Sequence, residues 1–254
     1  MLKSRAEENI QHLQHWFSLN SLKMNGEKTC FTLFGTQNSV DRVEDFAINV
    51  NDVTIRPTKH IKVLGVLLDQ TLSWEPHISS IIRRCNAILI SLFKIRHHLS
   101  PDILKILVQT HVFPHLQYCS SVWGGAPKSH LHRLQRTIHL AVRLVSGLRK
   151  FDHITPALGA LGWPGIGEVI AHRDAVNVQR ALYAAGAPDS LRSMFRPRAA
   201  VSNRVTRATA AGAAVLDLPR VRLAATSCFI LTCILYVCIC VCVCGCVYHV
   251  LTGP

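Results

Sequence analysis

The apolar residues of this chain change period at Trp74, and that change limits what the chain can fold into. Downstream, Ile78, Ile81, Ile82, Cys85, Leu89, Leu92 and Phe93 recur at spacings of three and four, which places them on one helical face. Ser100-Pro101-Asp102 supplies an N-cap, a first-turn proline and an acidic residue beside a helix N-terminus. The helix it opens carries Ile103, Leu104, Leu107 and Val108 inward and should break near Pro114. His130 to Val145 repeats the pattern with Leu131, Leu134, Ile138, Ala141 and Val145, and Gly147 ends it. Residues 152–161 read as a short helix closed by Gly162-Trp163-Pro164, and residues 166–185 as a long one closed by Gly186 and Pro188. An all-helical bundle over 75–195 is therefore expected, with helices near 75–98, 101–113, 128–147 and 166–185. There is no internal repeat of fixed period.

Upstream of Trp74 the runs are short and mixed. Ile10, Leu13 and Phe17 recur at helical spacing, which predicts a helix over 7–22. Asn25-Gly26 signals a turn, and Cys30 to Phe34 is a β-prone run ended by Gly35, predicting a strand over 29–34. Phe46 to Val50 and Val53 to Ile55 flank Asn51-Asp52 as a hairpin would. Ile61 to Leu68 is nearly continuous in apolar residues and predicts one strand over 61–68, buried on both faces. These elements make a small α+β unit over 1–74 with too few strands to stand alone.

After Phe195 the composition shifts. Residues 196–222 are rich in Arg, Ala and Thr and read as a flexible basic linker. Residues 223–254 contain no Asp, Glu, Lys or Arg, so the net charge of +13 sits wholly before this tail. Residues 224–251 would span about 42 Å as a helix, more than a hydrocarbon core of about 30 Å, which makes the membrane one expected partner. Arg204, Arg207, Arg220 and Arg222 precede the tail, so the positive-inside rule would keep the N-terminal part cytosolic on a single-pass tail. Seven of the ten cysteines lie between Cys228 and Cys246, and the last five alternate with Val, Ile or Gly. Alternating Cys and Val is what a TG dinucleotide repeat encodes, so the tail also reads as translated repeat DNA, β-prone and prone to aggregate. Lys3, Arg5, Glu7 and Glu8 interrupt the start, so no signal peptide and no disulfide framework is expected, and the chain reads as intracellular.

Few residues carry a chemical signal. His111, His115 and Cys119 are spaced as zinc ligands could be, but they read as loop and core residues beside Tyr118 and Trp123. Asp41, Glu44 and Asp45 read as a solvated turn, and His97-His98 as the end of a helix. No Gly-rich phosphate loop, Ser/His/Asp set or close carboxylate pair is present, and no small-molecule substrate or metal site is indicated. The clearest pattern is basic. Lys128, His132, Arg136, His139 and Arg143 recur at four, four, three and four residues, opposite the apolar face of their helix. Two readings fit: a helix laid along a phosphate backbone, or an ordinary solvated face.

The wording Trp16-Phe17-Ser18-Leu19-Asn20-Ser21-Leu22 with Asn25-Gly26-Glu27-Lys28-Thr29, followed by Leu64-Gly65-Val66-Leu67-Leu68-Asp69, Trp74 and His77, resembles the reverse transcriptase of non-LTR retrotransposons of the jockey-like group. Tyr118 with Val122-Trp123-Gly124 resembles the family's "Y-x-x-x-x-W-G" segment. Leu131 to Gly147 resembles its "L-x-x-L-Q-R" helix, and Asp152 to Thr155 with Leu161-Gly162-Trp163 a following stretch. The resemblance covers roughly residues 5–222. It implies that 1–74 is the end of a palm, just after the catalytic centre, and that the helices from Ile78 form a thumb. It also implies an RNA or RNA/DNA duplex as partner. The family holds Mg²⁺ on aspartates of a "Y/F-x-D-D" box, and this chain has no Asp-Asp pair, so no cofactor is expected. Only Lys28 matches a functional residue of the family, a palm lysine proposed to protonate the leaving pyrophosphate. The expectation is a fragment of an RNA-directed DNA polymerase without its catalytic aspartates, inactive, and retaining nucleic-acid binding. The second reading is a small membrane-anchored protein held by its tail.

Overall fold

The computed structural model describes residues 2–43, 46–51, 53–184, 186–187 and 189–193, with the two-residue strands Arg196–Pro197, Leu216–Asp217 and Val250–Leu251. Most of the expected linker and the apolar run of the tail, and Glu44 and Asp45 of the acidic cluster, lie outside the described residues. The chain is α+β: helices joined to small strand pairs, antiparallel except for the parallel pairing of Thr32–Leu33 with Val250–Leu251. It divides into two compact units. One comprises residues 1–84 with 126–130 and 235–254, the other residues 85–125 with 131–234.

In the first unit, helix α1 (Leu2–Leu19) buries Ala6 and Ile10 and half-buries Phe17. It starts five residues before the predicted position and stops at Leu19, because the chain turns over at Ser21 (φ +57°). Met24, Phe31, Leu33, Phe46, Ile48 and Val50 complete its core, with Phe31 edge-on to Phe46 at 5.9 Å. The strand β1 is shorter than the expected 29–34, covering Thr32–Leu33, which pair in parallel with Val250 and Leu251, while Phe31 and Thr32 bond to Thr58. The hairpin β2 (Ile48–Val50) and β3 (Val53–Ile55) forms as predicted, Val50 opposite Val53. Asn51 takes the left-handed conformation (φ +47°) that its two-residue loop requires.

The expected single strand over 61–68 is a second hairpin, β4 (His60–Val63) and β5 (Val66–Asp69), with Val63 opposite Val66. The turn is Leu64-Gly65, both at positive φ (45° and 86°), as a type I′ turn demands. The apolar run hid this turn because Leu occupies the first turn position, where Asn or Asp is usual. Burial follows the hairpin: Ile61 and Val63 point inward while His60 and Lys62 face solvent, so β4 is covered on one face only.

A short helix with no buried residue, α2 (Gln37–Asp41), follows β1, and the long helix α3 (Glu75–Ile95) ends in a 3₁₀ turn, Arg96–His98. Within the second unit α4 (Pro101–His111) is capped as expected, Ser100 Oγ accepting from Ile103 N–H. The expected inward set needs correction. Leu104 and Val108 are buried, but Leu107 is only half-buried and Ile103 is 47% exposed, so the buried stripe of this short helix is narrower than its apolar one. Pro114 does not break the helix from within. It sits in the first turn of a separate helix, α5 (Phe113–Gln117), where its missing N–H has no bond to lose. α6 (Ser120–Trp123), α7 (Lys128–Ser146), α8 (Thr155–Leu161) and α9 (Ile166–Tyr183) follow, then α10 (Asp189–Ser193). Gly147 and Gly162, both at φ +65°, terminate α7 and α8.

Candidate nucleic-acid interface

Helix α7 is the most amphipathic long helix among the described residues. Leu134, Thr137, Ile138, Ala141, Val142, Leu144 and Val145 are buried along it. At about 100° per residue the five basic positions fall within an arc of about 80° on the opposite side, spread over about 22 Å of axis. Lys128, His132 and Arg136 are exposed, and His139 and Arg143 half-buried. The structure therefore places the five residues on one face but does not make them equivalent.

His139 bonds Gln135 across one turn, Nε2 to Nε2 at 2.9 Å. Burial, and then the neighbouring Arg143 charge, lower its pKa from the ordinary histidine value. Arg143 has a structural task. Its Nε donates to the Arg149 carbonyl at 3.2 Å and its Nη2 to the Lys150 carbonyl at 3.0 Å, folding the loop after Gly147 back onto α7. Gln135 Oε1 accepts from Ile166 N–H at 2.8 Å and so ties the start of α9 to α7. The free cationic charge of the face thus resides mainly on Lys128 and Arg136.

Lys28 lies exposed in a 3₁₀ turn, Gly26–Lys28. Asn25 Oδ1 accepts from Glu27 and Lys28 N–H, and Thr29 Oγ1 donates to the Asn25 carbonyl at 2.7 Å. Gly26 is buried against the β2–β3 hairpin so tightly that a Cβ there would come within 2.8 Å of the Val50 carbonyl. Asn51, at the hairpin tip, donates to the Met24 carbonyl and accepts from Gln14. In this unit the Asn-Gly-x-Lys-Thr wording encodes a turn clamped to a hairpin.

The segment from Asp69 to His77 behaves the same way. The buried Asp69 carboxylate accepts from Thr71 Oγ1 (2.8 Å), Ser73 N–H (2.9 Å) and Trp74 N–H (2.9 Å), which orders the turn leading into α3. Burial alone would raise its pKa, but these bonds together hold it below the ordinary carboxylate value. His77 Nδ1 accepts from Leu67 N–H at 3.3 Å, joining α3 to β5, and its Nε2 has no partner among the described residues. Burial, aided by the Arg84 charge, pushes the His77 pKa down to about 4. Sequence reasoning identified this wording but not its task, because a far-capping carboxylate leaves no periodic signal.

Trp123 is fully buried, its Nε1 donating to the Tyr118 carbonyl at 3.0 Å. Cys119 between them is left-handed (φ +50°). Gly124 lies against α9, where a Cβ would meet Ile170 Cγ2 at 2.6 Å. The five-residue spacing from Tyr to Trp-Gly is thus a folded turn and a close helix contact. His111 Nδ1 faces its own helix, toward Thr110 Oγ1 and the Leu107 carbonyl. Burial raises the pKa of the Cys119 thiol despite its hydrogen bond with Tyr118. Among the described residues no three His, Cys, Asp or Glu side chains converge as a metal site would need. The Mg²⁺ that the resemblance implies therefore has no fitting donor set there, and no catalytic step is derived through it.

Two curated relatives from Drosophila melanogaster match the chain. One is the probable RNA-directed DNA polymerase from transposon X-element, 28% identical over 158 residues, 58% of this chain and 16% of the relative. The other is the probable RNA-directed DNA polymerase from transposon BS, 31% identical over 146 residues, 55% of this chain and 16% of the relative. The chain is similar to transposon RNA-directed DNA polymerases. It spans only 16% of the length of these relatives. No family model and no solved structure matches. Among the described residues no helix is long and apolar enough to cross a membrane.

Proposed function

We propose that this chain is a non-catalytic, nucleic-acid-binding piece of a reverse-transcriptase-like protein, corresponding to the end of the palm (1–74) and the thumb (75–195). The relatives are each described as an RNA-directed DNA polymerase, and the matched stretch is a small part of them. The observation that carries the binding reading is the exposed cationic face of α7, with Lys128, His132 and Arg136 in solvent on the side opposite its buried residues. A helix face of about 22 Å runs alongside roughly six phosphates of one strand at 3.4 Å each. Lys28 serves no chemistry in this reading, because the chain contains no adjacent aspartates to hold the metals that polymerisation uses.

The experiment is a titration of a fluorescein-labelled RNA hairpin with the full chain between 50 and 300 mM KCl, read by anisotropy. Binding should weaken steeply with salt. Lys128→Ala with Arg136→Ala should flatten the log–log slope by about 1.5, since each lost phosphate contact removes about 0.7–0.9. An unchanged slope would assign the face to ordinary solvation. Primer extension with Mg²⁺ or Mn²⁺ should give no product.

A further inference from the structure

The loop that follows α7 carries a feature that neither the basic stripe nor the motif residues explain. Phe151 is 89% exposed, more than any other large apolar side chain among the described residues. It does not sit on a slack segment. Arg143 holds the carbonyls of Arg149 and Lys150, the Asp152 carboxylate accepts from Arg149 N–H at 2.6 Å, and Asp152 N–H donates to the Arg149 carbonyl. Lys150 Nζ lies over the Phe151 ring, 5.4 Å from its centroid. The ring is thus presented on a loop bonded at both sides, with a cation on one face and solvent on the other. Exposed Arg149, Lys150 and His153 flank it, and the loop leaves α7 immediately beyond Arg143.

We infer that Phe151 is a base-stacking platform for a single-stranded nucleic acid whose backbone is held by Arg149, Lys150 and the α7 face. The inference deepens the binding function proposed above and rests on it. An aromatic ring with nearby cations is the recurring solution for gripping an unpaired strand. Any base offers a π-face, while phosphates need only positive charge. A duplex keeps its bases stacked on one another and gives such a ring nothing to cover. The arrangement therefore selects unpaired over paired strands without reading sequence.

The test uses the full chain, wild type and Phe151→Leu, Phe151→Ala and Phe151→Trp, against four probes. These are a labelled 12-nucleotide single-stranded RNA, the same length with abasic sites, a 12-base-pair duplex, and vesicles containing phosphatidylserine. Phe151 is in solvent, so the variants should fold, which an unchanged thermal melt verifies. Phe151→Leu and Phe151→Ala should weaken single-strand binding roughly 5- to 150-fold while leaving duplex and abasic binding unchanged. Phe151→Trp should bind the strand at least as tightly as wild type. If all polyanions bind and no variant changes the single-strand affinity, the stacking inference is overturned and the binding function stands. If no nucleic acid binds, both fall together. Phe151-dependent capture on vesicles without strand binding would overturn the inference in favour of a lipid surface.

Discussion

Asp69→Ala should unlock the start of α3. The carboxylate serves three donors, two of them the backbone N–H groups of Ser73 and Trp74, and Asp69 and Trp74 are both buried. Hydrogen bonds to a charged acceptor are each worth about 1.5–3 kcal/mol net, and loss of a helix cap costs about 1 kcal/mol. Water can refill part of the space around the more exposed Thr71, so the expected loss is about 3 kcal/mol, not the sum of the three. Asp69→Asn keeps one carbonyl oxygen and should lose only about 1 kcal/mol. For a chain of this size the alanine variant should melt about 6–12 °C lower. The assay is urea unfolding followed by circular dichroism, with amide hydrogen exchange at Ser73 and Trp74 as the local readout. Exchange at both amides should accelerate in the alanine variant. A change below 0.5 kcal/mol with unchanged exchange at Trp74 would refute the reading of Asp69 as the fastener of this turn.

Other outcomes follow from the same geometry. His77 has a pKa of about 4 when folded against 6.5 as a free side chain, so the unfolded chain takes up a proton first as pH falls. Stability should be full above pH 6.5 and decline by about 3 kcal/mol toward pH 4; His77→Gln should flatten that decline in urea titrations at pH 7.5 and 4.5. Gly124→Ala forces a Cβ within 2.6 Å of Ile170 Cγ2 and 2.7 Å of the Ser120 carbonyl and should cost about 2 kcal/mol, and Ile170→Ala, which removes Cγ2, should cost less in that background than in wild type in thermal melts. Arg143→Ala should speed proteolysis of the 147–153 loop, because two carbonyls lose their donor, and Arg143→Lys should not rescue it, since an ammonium lacks the planar fork.

Helices were legible from sequence wherever the apolar stripe was wide and the end carried its own chemistry. Ser100 and Pro101 opened α4 through a capping hydroxyl and a first-turn ring, and Gly147 and Gly162 closed α7 and α8 because glycine, without a Cβ, takes positive φ freely. Strands were less legible. The Leu64-Gly65 turn offers one glycine within an unbroken apolar run, and the left-handed Leu64 is stabilised by the hairpin it joins, not by its own preference. Ile103 shows the complementary failure: the periodicity placed it inside, but only packing partners decide how wide a buried stripe is.

The candidate site divides in the same way. The stripe on α7 was visible because charge periodicity needs nothing beyond one helix. That Arg143 is committed to two carbonyls could not be read there, because it depends on a loop that folds back from six and seven residues away, nor could the lowered pKa of His139, which depends on burial and on the Arg143 charge. The same loop sets Phe151 in solvent, a position with no periodic partner to announce it. Asp69, Trp74, His77, Trp123 and Gly124, which carry much of the resemblance to a polymerase, are occupied with holding turns and helix contacts. Sequence likeness over this region can therefore persist through the demands of folding alone, in a chain without paired aspartates. Among the described residues, the exposed cations of α7 and the ring in the loop after it are ones that folding leaves free, and the binding proposed above acts through them.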